Sequence, residues 1–209
     1  MTVNDASTFG ELSPTTLADA LNHEQVMDIG IRPLWQPMPR LAGPVFTVRC
    51  APADNLMLHA AIYRAPAGSV IVVEAGDLDY AVSGGNVCAV AKRRGIAGFV
   101  VDGVIRDLAE VREDRFPVFA RGVIPVPGGK QVAGELNGTV RCGGVQVSAG
   151  DVVVADEEGI VVVPAAQQDT VLEAARTRAA KDAAQSLDDW EAGHRARIDA
   201  ILHEKGFVE

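Results

Sequence analysis

Aromatic residues are scarce in this chain of 209 residues, at 5% of the total, whereas valine, alanine and glycine are abundant. Small and branched side chains are typical of a tightly packed sheet that is covered by small-residue helices. Histidine is also rare: the chain has four, and no sequence motif pairs one of them with a serine or cysteine nucleophile. The sequence therefore argues against covalent hydrolysis.

Cysteine is equally limited. The three cysteines, Cys50, Cys88 and Cys142, form an odd-numbered set and lack the spacing of a zinc site. Cysteines in this pattern are expected to be buried, reduced thiols, which predicts a cytoplasmic protein.

Positive charge is in deficit, because the formal net charge is −9 and the basic residues are scattered along the chain. This balance argues against nucleic acid as a direct partner. It does not exclude an anionic substrate, since a local arginine, metal ion or helix dipole sets the field inside a pocket. Long apolar runs and a basic leader followed by an apolar run are also missing, so neither a membrane span nor a signal peptide is expected.

The order of the sequence patterns predicts one α/β domain over residues 1–164 and a helical extension over residues 165–209. Helices alternate with strands in the first half, and short β segments dominate after Pro117, which favours a central mixed sheet with helices around it. The expected strands are 45–50, 69–75, 99–102, 118–121, 123–126, 139–142, 145–148, 152–155 and 160–163.

Four helices are expected before the extension. One begins at Pro14 with Ser13 as its cap, and one spans 55–64 with Asp54 as its cap; the others are 86–94 and 107–112. Residues 1–12 are polar and expected to be mobile. The extension is rich in alanine and charge, with Gly193 as its one break. Because its apolar positions are sparse and it is long for a cap, we expect part of it to pack on a neighbouring subunit.

Arg106 and Asp107 form the strongest candidate pair for chemistry. They follow the apolar strand that ends in Asp102 and Gly103, and ligand sites of α/β proteins lie at the carboxyl ends of strands. A carboxylate there is a hard ligand for a divalent cation, and an adjacent guanidinium can bind an organic acid through two hydrogen bonds. The alternative is a surface ion pair at a helix start, where aspartate is a common cap.

A second candidate feature is a possible anion site at the start of a helix, formed by Gly84, Gly85, Asn86 and Val87. Two glycines before a helix either permit a tight turn or leave the first amides of the helix free to bind a carboxylate. The sequence leaves both interpretations open.

Three further residues are secondary candidates. Asp102 is either a turn residue before glycine or a catalytic residue. Glu110 lies one helical turn after Asp107, where it is either an exposed acid or a residue that holds a metal-bound water. His59, inside the apolar run 56–62, is interpreted as a core or interface histidine rather than a base.

From Gly85 to Asp107 the chain reads Gly-Asn-x-x-x-x-Ala-x-x-x-Gly-x-x-Gly-x-Val-x-Asp-Gly-x-x-Arg-Asp. This pattern resembles the RraA-like family, which includes 4-hydroxy-4-methyl-2-oxoglutarate aldolases, oxaloacetate decarboxylases and regulators of ribonuclease E activity. The resemblance extends from about residue 12 to residue 164 and includes Asp54-Asn55-Leu56, the run 66–73 and the closing stretch 150–164.

The resemblance implies an α-β-β-α sandwich of the swivelling β/β/α type that assembles as a homotrimer or hexamer, with pockets between subunits. In the catalytic branch it implies a class II lyase with Mg²⁺ or Mn²⁺. The aspartate matching Asp107 binds the metal, with support from Glu110 through water. The arginine matching Arg106 contacts the substrate, and the amides of Gly84, Gly85, Asn86 and Val87 hold the pyruvyl carboxylate.

The implied chemistry is cleavage of a 4-hydroxy-2-oxo acid, or decarboxylation of oxaloacetate, through a metal-stabilised pyruvate enolate. The rival function is a non-catalytic trimeric regulator that binds a ribonuclease through its outer surface. Retention of both Arg106 and Asp107 favours the enzyme. One departure stands out, because several catalytic relatives carry an acid where this chain has Gly85.

Overall fold

The computed structural model describes residues 6–207, and seven of its strands form one mixed sheet in the order β1-β5-β4-β3-β2-β8-β9. The remaining two strands, β6 and β7, form a separate hairpin. In chain order the strands are β1 Arg32–Pro33, β2 Leu41–Arg49, β3 Val70–Glu74, β4 Gly98–Ile105, β5 Val118–Val123, β6 Val140–Cys142, β7 Val145–Val147, β8 Val152–Asp156 and β9 Gly159–Val163.

Strand β2 belongs to both halves of the sheet. Its second half, from Val45, pairs in parallel with β3, while its first half, up to Pro44, pairs antiparallel with β8. Strands β3, β4 and β5 continue the parallel half, and β8 pairs antiparallel with β9. The sheet thereby turns through β2 into a nearly closed arrangement.

Six α-helices accompany the strands in the described part of the chain. They are α1 Pro14–Ala18, α2 Leu56–Ala61, α3 Gly85–Arg93, α4 Leu108–Glu113, α5 Gln168–Ala184 and α6 Leu187–Glu204. As predicted, the Ser13 hydroxyl caps α1 by accepting a hydrogen bond from the Thr16 N–H.

Two apolar clusters define the layers. Alternate residues of β8, such as Val152 and Val154, pack with α1 and α5, while Val153 and Ala155 face the larger cluster. That larger cluster also holds the parallel strands and the apolar faces of α2 and α3. Because successive side chains of a strand point to opposite faces, the β8–β9 pair contributes to both apolar clusters. The predicted α/β class and α-β-β-α sandwich with a C-terminal helical extension are confirmed.

Strands β6 and β7 form a hairpin that turns at Gly143 and Gly144, and both glycines have positive φ, of 55° and 81°. This backbone suits a two-residue hairpin turn, which glycine adopts without steric penalty. The hairpin lies beside β3, where the Arg141 N–H donates a hydrogen bond of 2.9 Å to Glu74 Oε2.

Several predicted boundaries are wrong. Residues 123–126 do not form a separate strand, because β5 ends at Val123 and Pro125 and Pro127 have no N–H to donate to a ladder. Strand β4 continues past Asp102 to Ile105 through an irregularity between Val101 and Val104, so Asp102 lies within the strand and not at its end. The first helices are also shorter than expected, with α2 ending at Ala61.

The break in the C-terminal helices lies at Ser186 and not at Gly193. The Ser186 hydroxyl accepts a hydrogen bond from the Asp189 N–H and starts α6 as an N-cap. The Ser-x-x-Asp spacing was the signal for this start. Gly193 lies inside α6, with open space around the position of a Cβ.

The predicted mobility of residues 1–12 is wrong for most of that segment. A 3-10 helix spans Ala6–Glu11, and Phe9 and Leu12 are buried in the cluster with α1 and α5. Residues 1–5 lie outside the described part of the chain. Within residues 6–207, every helix is too short or too polar to cross a lipid bilayer.

Candidate active site

The start of α3 provides the first part of the site. Gly84 is its N-cap, in extended backbone conformation and without a side chain to cap the helix. The Gly85 N–H donates a hydrogen bond of 3.1 Å to Oδ2 of Asp107. The amides of Asn86 and Val87 follow in the first turn, where N–H groups have no intrahelical acceptor. Such an end attracts negative charge.

Asp107 faces the start of α3 from the end of β4. It follows β4 directly and has left-handed backbone, with φ 58° and ψ 40°, at the N-cap position of α4. Its side chain does not cap α4, although it forms with Arg106 the ion pair at a helix start that the alternative interpretation expects. Instead the carboxylate points to α3, where it accepts from Gly85 and lies 3.4 Å from Nε of Arg106. An aspartate in this conformation is uncommon and costs about 1 kcal/mol or more, which is the kind of strain found at functional sites.

The two glycines make room for two carboxylates. A Cβ built on Gly84 would collide with Oδ2 of Asp107, and a Cβ on Gly85 would collide with Oε2 of Glu110. Gly84 has ordinary extended backbone, so the close approach, rather than a special φ, accounts for the glycine there. The carboxylate of Glu110 thus takes the space that an acidic side chain at position 85 would need.

This donor set suits a hard divalent cation. Carboxylate oxygens are the ligands that Mg²⁺ prefers, and Mg²⁺ keeps several waters when one or two carboxylates bind it. Residues 6–207 contain no group of three or more histidine, cysteine, aspartate or glutamate side chains placed to hold a metal. The carboxylates of Asp107 and Glu110 at the start of α3 are compatible with Mg²⁺, because this cation needs only one or two protein carboxylates and keeps several waters.

Asp102, the secondary candidate, belongs elsewhere. Its Oδ1 accepts from Nε of Arg121 at 2.5 Å, and its Oδ2 accepts from the Gly143 N–H at 2.7 Å. Arg121 also contacts Asp28 at 2.8 Å. The carboxylate therefore holds the β6–β7 hairpin on the sheet and is neither a turn residue nor part of the Arg106–Asp107 site.

His59 is half-buried on α2, and burial, followed by the positive charges of Lys130 and Arg106, holds its pKa below the usual value of 6.5. It is therefore not fully buried in the core, and its place at a subunit interface stays a prediction. The signal for these charges was absent from the sequence because Lys130 and His59 lie far from each other and from Arg106 along the chain.

Comparison with known sequences gives consistent matches. The sequence model described as RraA-like, of the Aldolase/RraA group, matches residues 14–162. A protein of Halalkalibacterium halodurans is 37% identical over 198 residues, which is 93% of this chain and 94% of the relative. A protein of Burkholderia multivorans is 36% identical over 156 residues, 71% of this chain and 93% of the relative. Both carry the name "Putative 4-hydroxy-4-methyl-2-oxoglutarate aldolase".

Solved structures show the same fold. An uncharacterized protein from Pseudomonas syringae pv. tomato superposes with a TM-score of 0.76 at 28% identity, covering 90% of this chain and 92% of its own. The RNA-processing inhibitor RraA from Thermus superposes with a TM-score of 0.66 at 31% identity, covering 72% of this chain and 91% of its own.

The matches differ in how much of the chain they cover. The family match ends at residue 162, before α5 begins. The Halalkalibacterium and Pseudomonas proteins match at least 90% of the chain, whereas the Thermus protein matches 72% of it. Because the family match spans well over half of its residues, the chain belongs to the RraA-like family.

Proposed function

We propose that this protein is a divalent-metal-dependent aldolase that cleaves 4-hydroxy-4-methyl-2-oxoglutarate, or a related 4-hydroxy-2-oxo acid, to pyruvate. The same site would decarboxylate oxaloacetate. The names of two relatives at 36% and 37% identity support the reaction class. The observation that carries the proposal is the Asp107 carboxylate, which leaves its own helix uncapped and points to the start of α3 beside Arg106.

Each part of the site has a role in this reaction. Asp107 would bind Mg²⁺ or Mn²⁺, with Glu110 acting through water. When bound, the cation supplies a Lewis acid that draws electron density from the 2-oxo acid as its carbon–carbon bond breaks. The amides at the start of α3 would donate to the C1 carboxylate of the substrate, as a helix N-terminus favours an anion.

Arg106 would bind the substrate near the bond that breaks. Its guanidinium is partly exposed, at 42% of the side chain, and is already held beside Asp107. It can therefore donate to the C4 oxygen, or to the distal carboxylate, without a large rearrangement. A water held by Glu110 is the proposed acceptor of the C4 hydroxyl proton.

Pyruvate release tests the proposal. The protein is incubated with 4-hydroxy-4-methyl-2-oxoglutarate or oxaloacetate, with Mg²⁺ and then with a chelator, and pyruvate is measured by coupling to lactate dehydrogenase. We expect chelator-sensitive pyruvate from both substrates. Asp107→Asn should reduce the rate by about 100-fold or more, because a bound cation supplies several kcal/mol of charge stabilisation.

Glu113→Gln is the matched control, since Glu113 is an exposed acid on the same short helix. It should leave the rate unchanged. Full activity in Asp107→Asn would overturn the metal assignment. If neither substrate yields pyruvate and the protein retains a ribonuclease in a binding assay, the regulator function is supported instead.

A further inference from the structure

Residues 131–139, here called the strap, lie across the end of β2 and lead into β6. The Asn137 N–H donates to Thr47 O at 2.8 Å, and the Thr47 hydroxyl donates to Gly138 O. Both bonds use the same residue of β2. They therefore require a fixed spacing between the Asn137 nitrogen and the Gly138 oxygen.

The strap borders a cavity of about 340 Å³. Cys50 and Met57 line this cavity from the domain, and Gly134 and Gly138 line it from the strap. The Gly134 N–H donates to Met57 Sδ at 3.1 Å. Cys50 is only 2% exposed. Because the strap and Cys50 border the same cavity, movement of the strap away from β2 would open this thiol to solvent.

The strap contains Asn137-Gly138, which is the one Asn-Gly pair in the sequence. The side-chain amide carbon of an asparagine is within reach of the nitrogen of the next residue, because the two can close a small ring, and groups held close in one molecule react readily. Glycine has no side chain and leaves that nitrogen unhindered. The sequence therefore marks this pair as susceptible to loss of the side-chain amide.

The structure leaves the reacting groups of this pair unengaged. Asn137 is exposed, and within residues 6–207 neither its side-chain amide nor the Gly138 N–H has a hydrogen-bond partner. Asn137 also has left-handed backbone, with φ 61°. The carboxylate oxygens of Glu135 lie 3.3 and 3.5 Å from the position of a Cβ built on Gly138. A proton acceptor is thus close to the nitrogen that would attack.

We propose that Asn137 is a covalent self-modification site, whose isoaspartyl product releases the strap from β2. The Gly138 nitrogen bonds to Cγ of Asn137 and loses its proton to Glu135. The bond between Cγ and Nδ2 then breaks, and the nitrogen leaves as ammonia with that proton. Water opens the resulting succinimide, at Cγ to give aspartate or at the main-chain carbonyl to give isoaspartate.

Isoaspartate changes the strap in two ways. The main chain then runs through the former side chain, which adds one carbon between the nitrogens of Asn137 and Gly138, and a new carboxylate is formed. The two hydrogen bonds to Thr47 need the original spacing. The strap therefore detaches from β2, and the cavity opens at Cys50.

Peptide mapping tests the modification. The unaltered protein is incubated at neutral and at mildly alkaline pH and digested with trypsin beside an unincubated sample. The peptide 131–141 should gain about 1 Da and accept a methyl group from an isoaspartyl methyltransferase. Its rate of conversion should lie within about 10-fold of that of the free synthetic peptide, because the fold does not hold the reacting groups. Asn22 is exposed and followed by histidine, so it is the internal control and should stay intact.

Three variants isolate the chemistry. Asn137→Gly keeps the positive φ without strain and removes the amide, so it should form no isoaspartate. Gly138→Ala places a methyl group against the movable end of Glu135 and should slow the reaction by about 10-fold or more, because the nitrogen is hindered. Glu135→Gln should slow it by about 10-fold, since the new amide cannot accept the proton.

The reactivity of Cys50 reports the position of the strap. After incubation, Cys50 of the unaltered protein should react with a thiol-specific disulfide reagent about 10-fold faster than before, because thiol reactivity follows exposure. Cys50 in Asn137→Gly should keep its slow rate after the same incubation. Cys88 is buried outside the lining of this cavity and should stay unreactive in both proteins.

Two results would overturn the inference. One is an unmodified Asn137 under conditions that convert the free peptide completely. The other is isoaspartate at position 137 with unchanged reactivity of Cys50, which would show that the new linkage does not release the strap.

Discussion

Single residues define the chemistry of the site through close approach. Gly84 and Gly85 bring the first amides of α3 against the carboxylates of Asp107 and Glu110, with no room for a side chain at either position. An acid at position 85, as in some relatives, and Glu110 would therefore compete for the same space. The packing beside Asp107 leaves room for one further carboxylate, from position 85 or from position 110.

Gly85→Ala should weaken the binding of the divalent cation. The new methyl group would collide with the side chain of Glu110. Because that side chain can move, the free energy of unfolding should fall by only about 1 kcal/mol. The movement should, however, displace the Glu110 carboxylate from its place beside Asp107. Loss of a group that orients metal-bound water usually lowers metal affinity by about 10- to 100-fold. The Mg²⁺ concentration that gives half-maximal pyruvate release should therefore rise by about that factor.

Gly193→Ala is the control, since a Cβ there meets nothing within 4 Å. The double variant Gly85→Ala with Glu110→Ala relieves the collision but removes the carboxylate. It should therefore regain stability without regaining the original Mg²⁺ dependence. Unchanged Mg²⁺ dependence in Gly85→Ala would contradict the role of Glu110.

At the scale of elements, α6 differs from the other helices because none of its residues is buried. Its apolar face consists of Leu187, Trp190, Ile198 and Ile201, which recur at helical spacing and are exposed by 76%, 46%, 38% and 40%. Part of this area would leave water if a second subunit covered it. If the extension packs on a neighbouring subunit as predicted, this face is the surface that would be covered.

Ile198→Asp combined with Ile201→Asp should dissociate such an assembly. Two charges on the apolar face oppose its burial against a second subunit, whereas the domain core keeps its packing because no residue of α6 is buried. We expect light scattering coupled to size exclusion to show a lower mass than for the unaltered protein. Circular dichroism should show little change in helix content.

Ala192→Asp combined with Ala196→Asp places the same charge on the opposite face of α6 and should keep the assembly. An unchanged mass in the Ile198/Ile201 variant would show that this face is not the interface. A monomeric mass for the unaltered protein would refute the predicted trimer or hexamer directly.

For the whole molecule, buried titratable groups set a pH window of stability. Burial opposes ionisation of Asp54, but three backbone N–H donors outweigh it and lower the pKa below 3.8. Burial raises the pKa of Cys50 to about 11 and that of Cys88 to about 12. The predicted state of the cysteines as buried free thiols is confirmed for the described chain, and their raised pKa makes them poor nucleophiles at neutral pH.

The unfolding free energy should be highest between about pH 7 and pH 8 and fall on both sides. As pH falls below about 6.5 the unfolded state takes up the His59 proton first, and below about pH 4 it takes up the Asp54 proton first, so stability is lost in two steps as pH falls. Above pH 9 the unfolded state releases thiol protons first, so stability falls as pH rises. Urea unfolding across this range measures both limbs.

Two variants assign the limbs. Asp54→Asn should lower stability by about 2 kcal/mol at pH 7 and flatten the acid limb, because it removes hydrogen bonds to a charged acceptor. Cys88→Ala should flatten part of the alkaline limb. If both limbs keep their shape in the variants, other groups control the pH dependence.

The sequence by itself determined the elements and the pair that carries the proposed chemistry. Consecutive valines between turn residues marked β8 and β9, Ser13 marked the start of α1, and Arg106-Asp107 after an apolar strand marked the site. These features are local, since a period, a cap or a strand end is written in adjacent residues.

Tertiary structure decided what depends on long-range pairing. It turned the Asp107 carboxylate to α3, joined Asp102 to Arg121 and the β6–β7 hairpin, and aligned residues 127–129 with residues 81–83 and 53–55. No local pattern encodes this alignment, because the segments meet only after the parallel strands have set their register.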